Sequence, residues 1–143
     1  MSLPPSHPTA VAFLDESGSI ASDRFFAVGC LKLLDPSSLL RSIQRLRDRE
    51  HWYDEIHFAD LTRDTLPSYR NVVDVLAETA TLRFSCFVAD RSVSDPIARF
   101  GSSANAYRKM AEQLIIGSIA PNEILTSLRT STRRRTSTRS RWS

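Results

Sequence analysis

The chain has 143 residues, 41% of them hydrophobic and 24% charged, enough for one small domain with a single core and too few for two. Its longest apolar runs, residues 11–14, 25–31 and 114–116, fall far short of the ~20 residues of a membrane span. The net charge of +3 is unevenly spread: residues 127–143 hold six arginines and no acid, while the other 126 residues hold thirteen basic and sixteen acidic groups, a net of −3.

Residues 1–8 read as a flexible Pro-rich leader, with no basic segment running into an apolar one and hence no signal peptide. Residues 10–14 form a continuous apolar run that stops at Asp15-Glu16-Ser17-Gly18-Ser19, the pattern of a buried strand meeting a turn. Residues 25–33 read as a second strand, antiparallel to the first across a short loop. Within it, Gly29 marks a bulge or a close approach. Asp35-Pro36 then opens a helix reaching Glu50, with Leu39, Leu40, Ile43 and Leu46 as its apolar stripe.

Residues 55–58 suit a brief strand. A helix starting near Pro67 carries Tyr69, Val72, Val73, Leu76 and Ala80 on one face. Residues 82–89 form the strongest strand, with Leu82, Phe84, Cys86 and Val88 on one face. Apolar groups on both of its sides predict a central position. A loop with Asp95-Pro96 and Gly101 leads to a last helix over 104–119, its stripe being Tyr107, Met110, Ala111, Leu114 and Ile115, with Pro121 as the stop. Strands alternating with helices predict an α/β fold, a mixed sheet with a leading antiparallel hairpin and flanking helices. Cys30 and Cys86 lie in apolar strands, so both are expected as buried free thiols, and zinc ligation is not expected.

The domain is expected to span 9–126. Residues 127–143 have no core pattern and read as a disordered tail. Two accounts fit the abrupt change. One is a basic arm for phosphate backbones; the other is translation in a shifted reading frame of a GC-rich gene.

Three acids stand at strand ends: Asp15, Glu55 and Asp90. Carboxylates converging on one sheet edge suit hard cations such as Mg2+ or Mn2+, and two such ions ~4 Å apart activate water in phosphodiester hydrolysis. The plain alternatives are turn capping by Asp15, a solvated partner for a nearby arginine at Glu55, and a pairing of Asp90 with Arg91. His57 alternates with Glu55 and is either a phosphate or proton-transfer group or a structural residue. An aspartate-nucleophile phosphatase wants a second Asp two positions after the first, where this chain has Ser17.

DESG at Asp15–Gly18, then FFAVGCL, EIHF, a helix opening on Tyr69-Arg70, FSCFVAD and AYRKM occur here in that order. In this the chain resembles the bacterial domain of unknown function 3800 family over about residues 10–125. The resemblance implies a ribonuclease-H-like α/β fold and a divalent-metal-dependent nuclease-like activity. Catalytic and metal-holding roles fall to Asp15, Glu55 and Asp90, with Mg2+ or Mn2+ as cofactor and a bacterial cytoplasmic location. Such a site draws a further acid from the C-terminal portion, which here is the arginine tail, so a C-terminal element and one ligand are expected to be missing. The other expectation is a non-catalytic or nucleic-acid-binding domain, with no membrane partner and an oligomeric state that the sequence leaves open.

Overall fold

The computed structural model describes residues 7–129, the Phe58 side chain excepted; most of the leader and residues 130–143 lie outside the described residues. The elements run β1 (Thr9–Ser17), β2 (Phe25–Leu33), α1 (Pro36–Glu50), α2 (Leu66–Glu78), β3 (Leu82–Asp90), α3 (Pro96–Phe100), α4 (Ser103–Ser118) and β4 (Ile124–Arg129), with one 3-10 turn at Phe58–Asp60. The strands form one mixed sheet in the order β3-β2-β1-β4, with β4 parallel to β1 and the other pairs antiparallel. This is the expected α/β architecture, a ribonuclease-H-like mixed sheet with flanking helices.

Local chemistry sets the helix ends. The Asp35 carboxylate accepts from Ser38 N at 3.3 Å, with Pro36 opening α1, and His51 closes that helix in the left-handed conformation at φ 51°. Asp95 caps α3 and Ser102 caps α4, their side chains accepting from Ile97 N and Asn105 N. Gly101, at φ 86°, ends α3.

The core lies between the sheet and α4. Ala12 and Leu14 of β1, Phe26, Val28 and Cys30 of β2 and Ala89 of β3 meet Met110 and Leu114, with Tyr107, Ile115 and Leu125 packed at the margin. Within this layer Lys32 Nζ donates to Glu123 Oε2 at 2.9 Å and to the Ser118 carbonyl at 2.6 Å, while Glu123 Oε2 also accepts from Ala120 N at 2.9 Å. Both residues are buried. A lysine inside an apolar strand thus ties β2 to the turn that launches β4.

Five expectations need correction. First, β3 is an edge strand, and its second apolar face carries the exposed Phe84 and Val88. Second, Cys86 lies on that face and is exposed, while Cys30 is buried. Third, residues 55–58 form no strand, because the Tyr69 hydroxyl accepts from His57 N at 3.1 Å and donates to His57 O at 2.6 Å, taking the backbone groups a ladder would use. Fourth, the domain does not stop at 126, since Ser127, Leu128 and Arg129 complete β4; parallel pairing with β1 satisfies their backbone whatever their composition. Fifth, β1 runs through Asp15 and Glu16 to Ser17, held by the register Asp15↔Gly29, Glu16↔Val28 and Ser17↔Ala27. Within the stripes, Leu40 and Val73 are exposed. The residues 96–100 read as loop form α3.

Candidate functional site

Consecutive strand residues point to opposite sheet faces, so the acidic pair is split. Asp15 faces away from α4, is exposed, and its Oδ1 accepts from the following Glu16 amide at 2.9 Å. Glu16 faces α4 and lines a crevice of about 930 Å³ at the carboxyl end of the parallel β1–β4 pair. Gly18 and Ser19 form its floor, and Tyr107, Arg108 and the first turn of α4 its far wall.

Gly18 has to be glycine. Its φ is +83°, and a Cβ there would sit 2.6 Å from the Phe25 carbonyl oxygen. The turn is completed by Asp23, whose Oδ2 accepts from Ser19 N at 2.7 Å.

β4 brings a cation to this crevice. Arg129 Nη2 lies 3.1 Å from Glu16 Oε2 and 3.4 Å from Oε1, and its guanidinium stands 4.0 Å from the centroid of the Tyr107 ring. The Tyr107 hydroxyl is buried beside the Glu16 carboxylate. Burial pushes this phenol above its ordinary value; the Glu16 and Asp15 charges add to the shift and Arg129 opposes it. On the facing wall, Glu112 stands between Lys109, at 2.9 Å, and Arg108, at 3.9 Å. The amino end of α4, with no acid in its first turn, contributes Ser103 and Ala104 to the lining.

The sequence-predicted carboxylates do not meet. Asp15 pairs with Gly29 and Asp90 with Phe25, so the two acids are separated by four residues along the sheet and by two strand spacings, about 16 Å at the backbone. Asp90 is also engaged. Its oxygens accept from Arg24 Nε at 3.2 Å and Nη2 at 3.1 Å, and from the Ser92 hydroxyl at 2.7 Å and amide at 2.9 Å. The Arg24 hydrogen bonds, followed by those from Ser92, hold its pKa at about 2. Glu55 sits exposed in the segment between α1 and α2. Among the described residues no group of three or more His, Cys, Asp or Glu side chains is placed to hold a metal ion. Asp15, Glu55 and Asp90, as placed here, do not form a shared set of ligands for Mg2+ or Mn2+.

The pairing of Asp90 with Arg24 is directly testable. Carbon-detected NMR of the Asp90 carboxyl is expected to show a midpoint near pH 2 in the wild type. In Arg24→Ala the midpoint rises toward the ordinary aspartate range. An unchanged midpoint in the variant would show that Ser92 alone sets it.

Sequence reasoning passed over Glu16 as the inward acid and missed Arg129 and Tyr107 as its partners. Strand alternation was the available signal for Glu16. Arg129 had none, because its segment lacks a core pattern. No family model, curated protein or solved structure matches this chain.

Proposed function

We propose that this protein is a binding module for a phosphate-bearing strand of nucleic acid, held in the crevice between β1, β4 and α4. The observation that carries the reading is the position of Arg129. β4 ends there, on the crevice wall, and the fourteen residues that follow include five arginines, Arg133, Arg134, Arg135, Arg139 and Arg141. A guanidinium at the site thus leads directly into a run of further cations. Arg108 and the amino end of α4 supply positive potential from the opposite wall, the usual chemistry of phosphate contacts. The body without those five arginines carries no excess of positive charge, so the attraction rests on the arginine run and the crevice cations.

Metal-dependent phosphodiester cleavage is the second reading. It is favoured by one feature, the exposed Asp15 beside Glu16 at the carboxyl end of β1, where α/β sheets place their ligands. The resemblance to the domain of unknown function 3800 family points the same way.

Fluorescence anisotropy with a labelled single-stranded oligonucleotide separates the two. Binding is expected without added divalent ion. Arg108→Ala and Arg129→Ala each weaken it, and each lowers the slope of log affinity against log salt by about 0.7 if one phosphate contact is lost. Wild-type affinity and slope in both variants would overturn the crevice as the binding site. Cleavage that requires Mg2+ or Mn2+ and disappears in Asp15→Asn would replace binding by hydrolysis as the function.

A further inference from the structure

The sheet has a second face, and its chemistry is unlike that of the first. Strand alternation and register place Phe13 of β1, Phe25 of β2, Phe84, Cys86 and Val88 of β3 and Leu128 of β4 on the side away from α4. α4 packs against β2 and β3 from the other side; α1 and α2 pack on each other, and Leu33, at the Thr9–Leu82 end of this face, is buried. The face is flat at its centre because Gly29 has no side chain. The Phe84 ring lies across it, within 3.4 Å of where a Cβ would stand. Among the described strand residues, charged groups on this face stand at one end, where Asp15 is exposed and Asp90 is paired with Arg24.

From this face we propose that two copies of the chain stack sheet against sheet to form a dimer. The area is the first reason. Phe13, Phe25 and Phe84 are 38%, 54% and 66% exposed. At about 200 Å² for a whole phenylalanine side chain, they offer roughly 300 Å² together. Val88 and Leu128, at 59% and 50%, with Cys86 bring the apolar area to roughly 500 Å². A standard interface buries about 800 Å² per partner, a little over half of it apolar, or roughly 450 Å². The face therefore supplies what one side of a stable dimer needs.

The segment after β4 does not offer the apolar side chains of a cover. Residues 130–143 are threonine, serine and arginine with one apolar side chain, Trp142. A second copy does, and charge sets the arrangement. Like charges repel, so the two-fold axis lies across the strands and keeps the two Asp15 ends apart. Stacked in this way, the pair leaves both crevices on its outer surfaces, open to ligand.

Sedimentation velocity on the full chain over a range of micromolar concentrations tests the dimer. The wild type is expected to sediment as a dimer that dissociates on dilution. Phe84→Glu and Val88→Glu, both at exposed positions and so harmless to the core, weaken dimerisation at least about thirtyfold. Their far-UV circular dichroism stays that of the wild type. Val73→Glu, an equally exposed apolar position on α2, leaves the dimer intact. A wild type that is monomeric at every concentration would overturn the proposal. So would a dimer that survives both β3 substitutions, or one that Val73→Glu disrupts as strongly.

Discussion

Lys32→Met is expected to destabilise the protein by about 3–5 kcal/mol, read as a lower midpoint of urea unfolding at constant slope. The lysine and Glu123 are both buried, and each is the other's counter-charge. Removing one leaves a carboxylate in a low-dielectric layer with only the Ala120 amide to stabilise it. Glu123→Gln is costly for the mirror-image reason, stranding an ammonium that keeps only the Ser118 carbonyl. Replacing both at once, as Lys32→Met with Glu123→Leu, recovers most of the loss, because an apolar pair demands neither solvent nor partner. Additive losses in the double variant would show that the pair is not a unit.

The same pair gives a pH dependence with a definite sign. The Ala120 amide, followed by Lys32, holds the Glu123 carboxyl below its ordinary value of 4.5. A depressed carboxyl pKa contributes stability that is complete above the unfolded value and lost as pH falls through the folded one. Wild-type stability is therefore expected to decline below about pH 4.5. Glu123→Gln, less stable at neutral pH, shows a shallower decline over that window. β4 rests on this pair, so its amides are the ones expected to lose hydrogen-exchange protection first in acid.

Replacing the five arginines from Arg133 to Arg141 with glutamine is expected to have the larger effect on ligand binding. At about 0.7 in salt slope for each phosphate neutralised on a single strand, five contacts amount to roughly 3.5. Between 50 and 200 mM salt the intact chain then loses about a hundredfold more affinity than the variant does. Fluorescence anisotropy at several salt concentrations reads this directly. Equal slopes for the two chains would mean that these arginines make no phosphate contact, leaving Arg108 and Arg129 to act alone.

Residue type and periodicity made most of the elements legible. The apolar run of β1, the strands β2 and β3 and the amino ends of α1 and α4 all lie within a few residues of where local signals put them, because capping and alternation depend on near neighbours. Misreadings came where a distant group intervened. Tyr69, twelve positions from His57, claimed the backbone groups of a would-be strand. β1 runs three positions past Leu14, its last residue paired with β4, and pairing with β2 kept Asp15 and Glu16 in the strand rather than releasing them into the turn.

The sequence by itself determined an α/β domain, a mixed sheet opened by a hairpin, and an arginine-rich end following an acidic body. Two-residue alternation sets Asp15 and Glu16 on opposite faces once pairing with β2 carries the strand through them. Only the tertiary structure decided which acid meets which base: Asp90 with Arg24, Lys32 with Glu123, and Glu16 with Arg129. Those partners stand 66, 91 and 113 positions apart. Electrostatic interaction falls with distance in space, and chain separation says nothing of it until strand pairing and packing have brought the groups together.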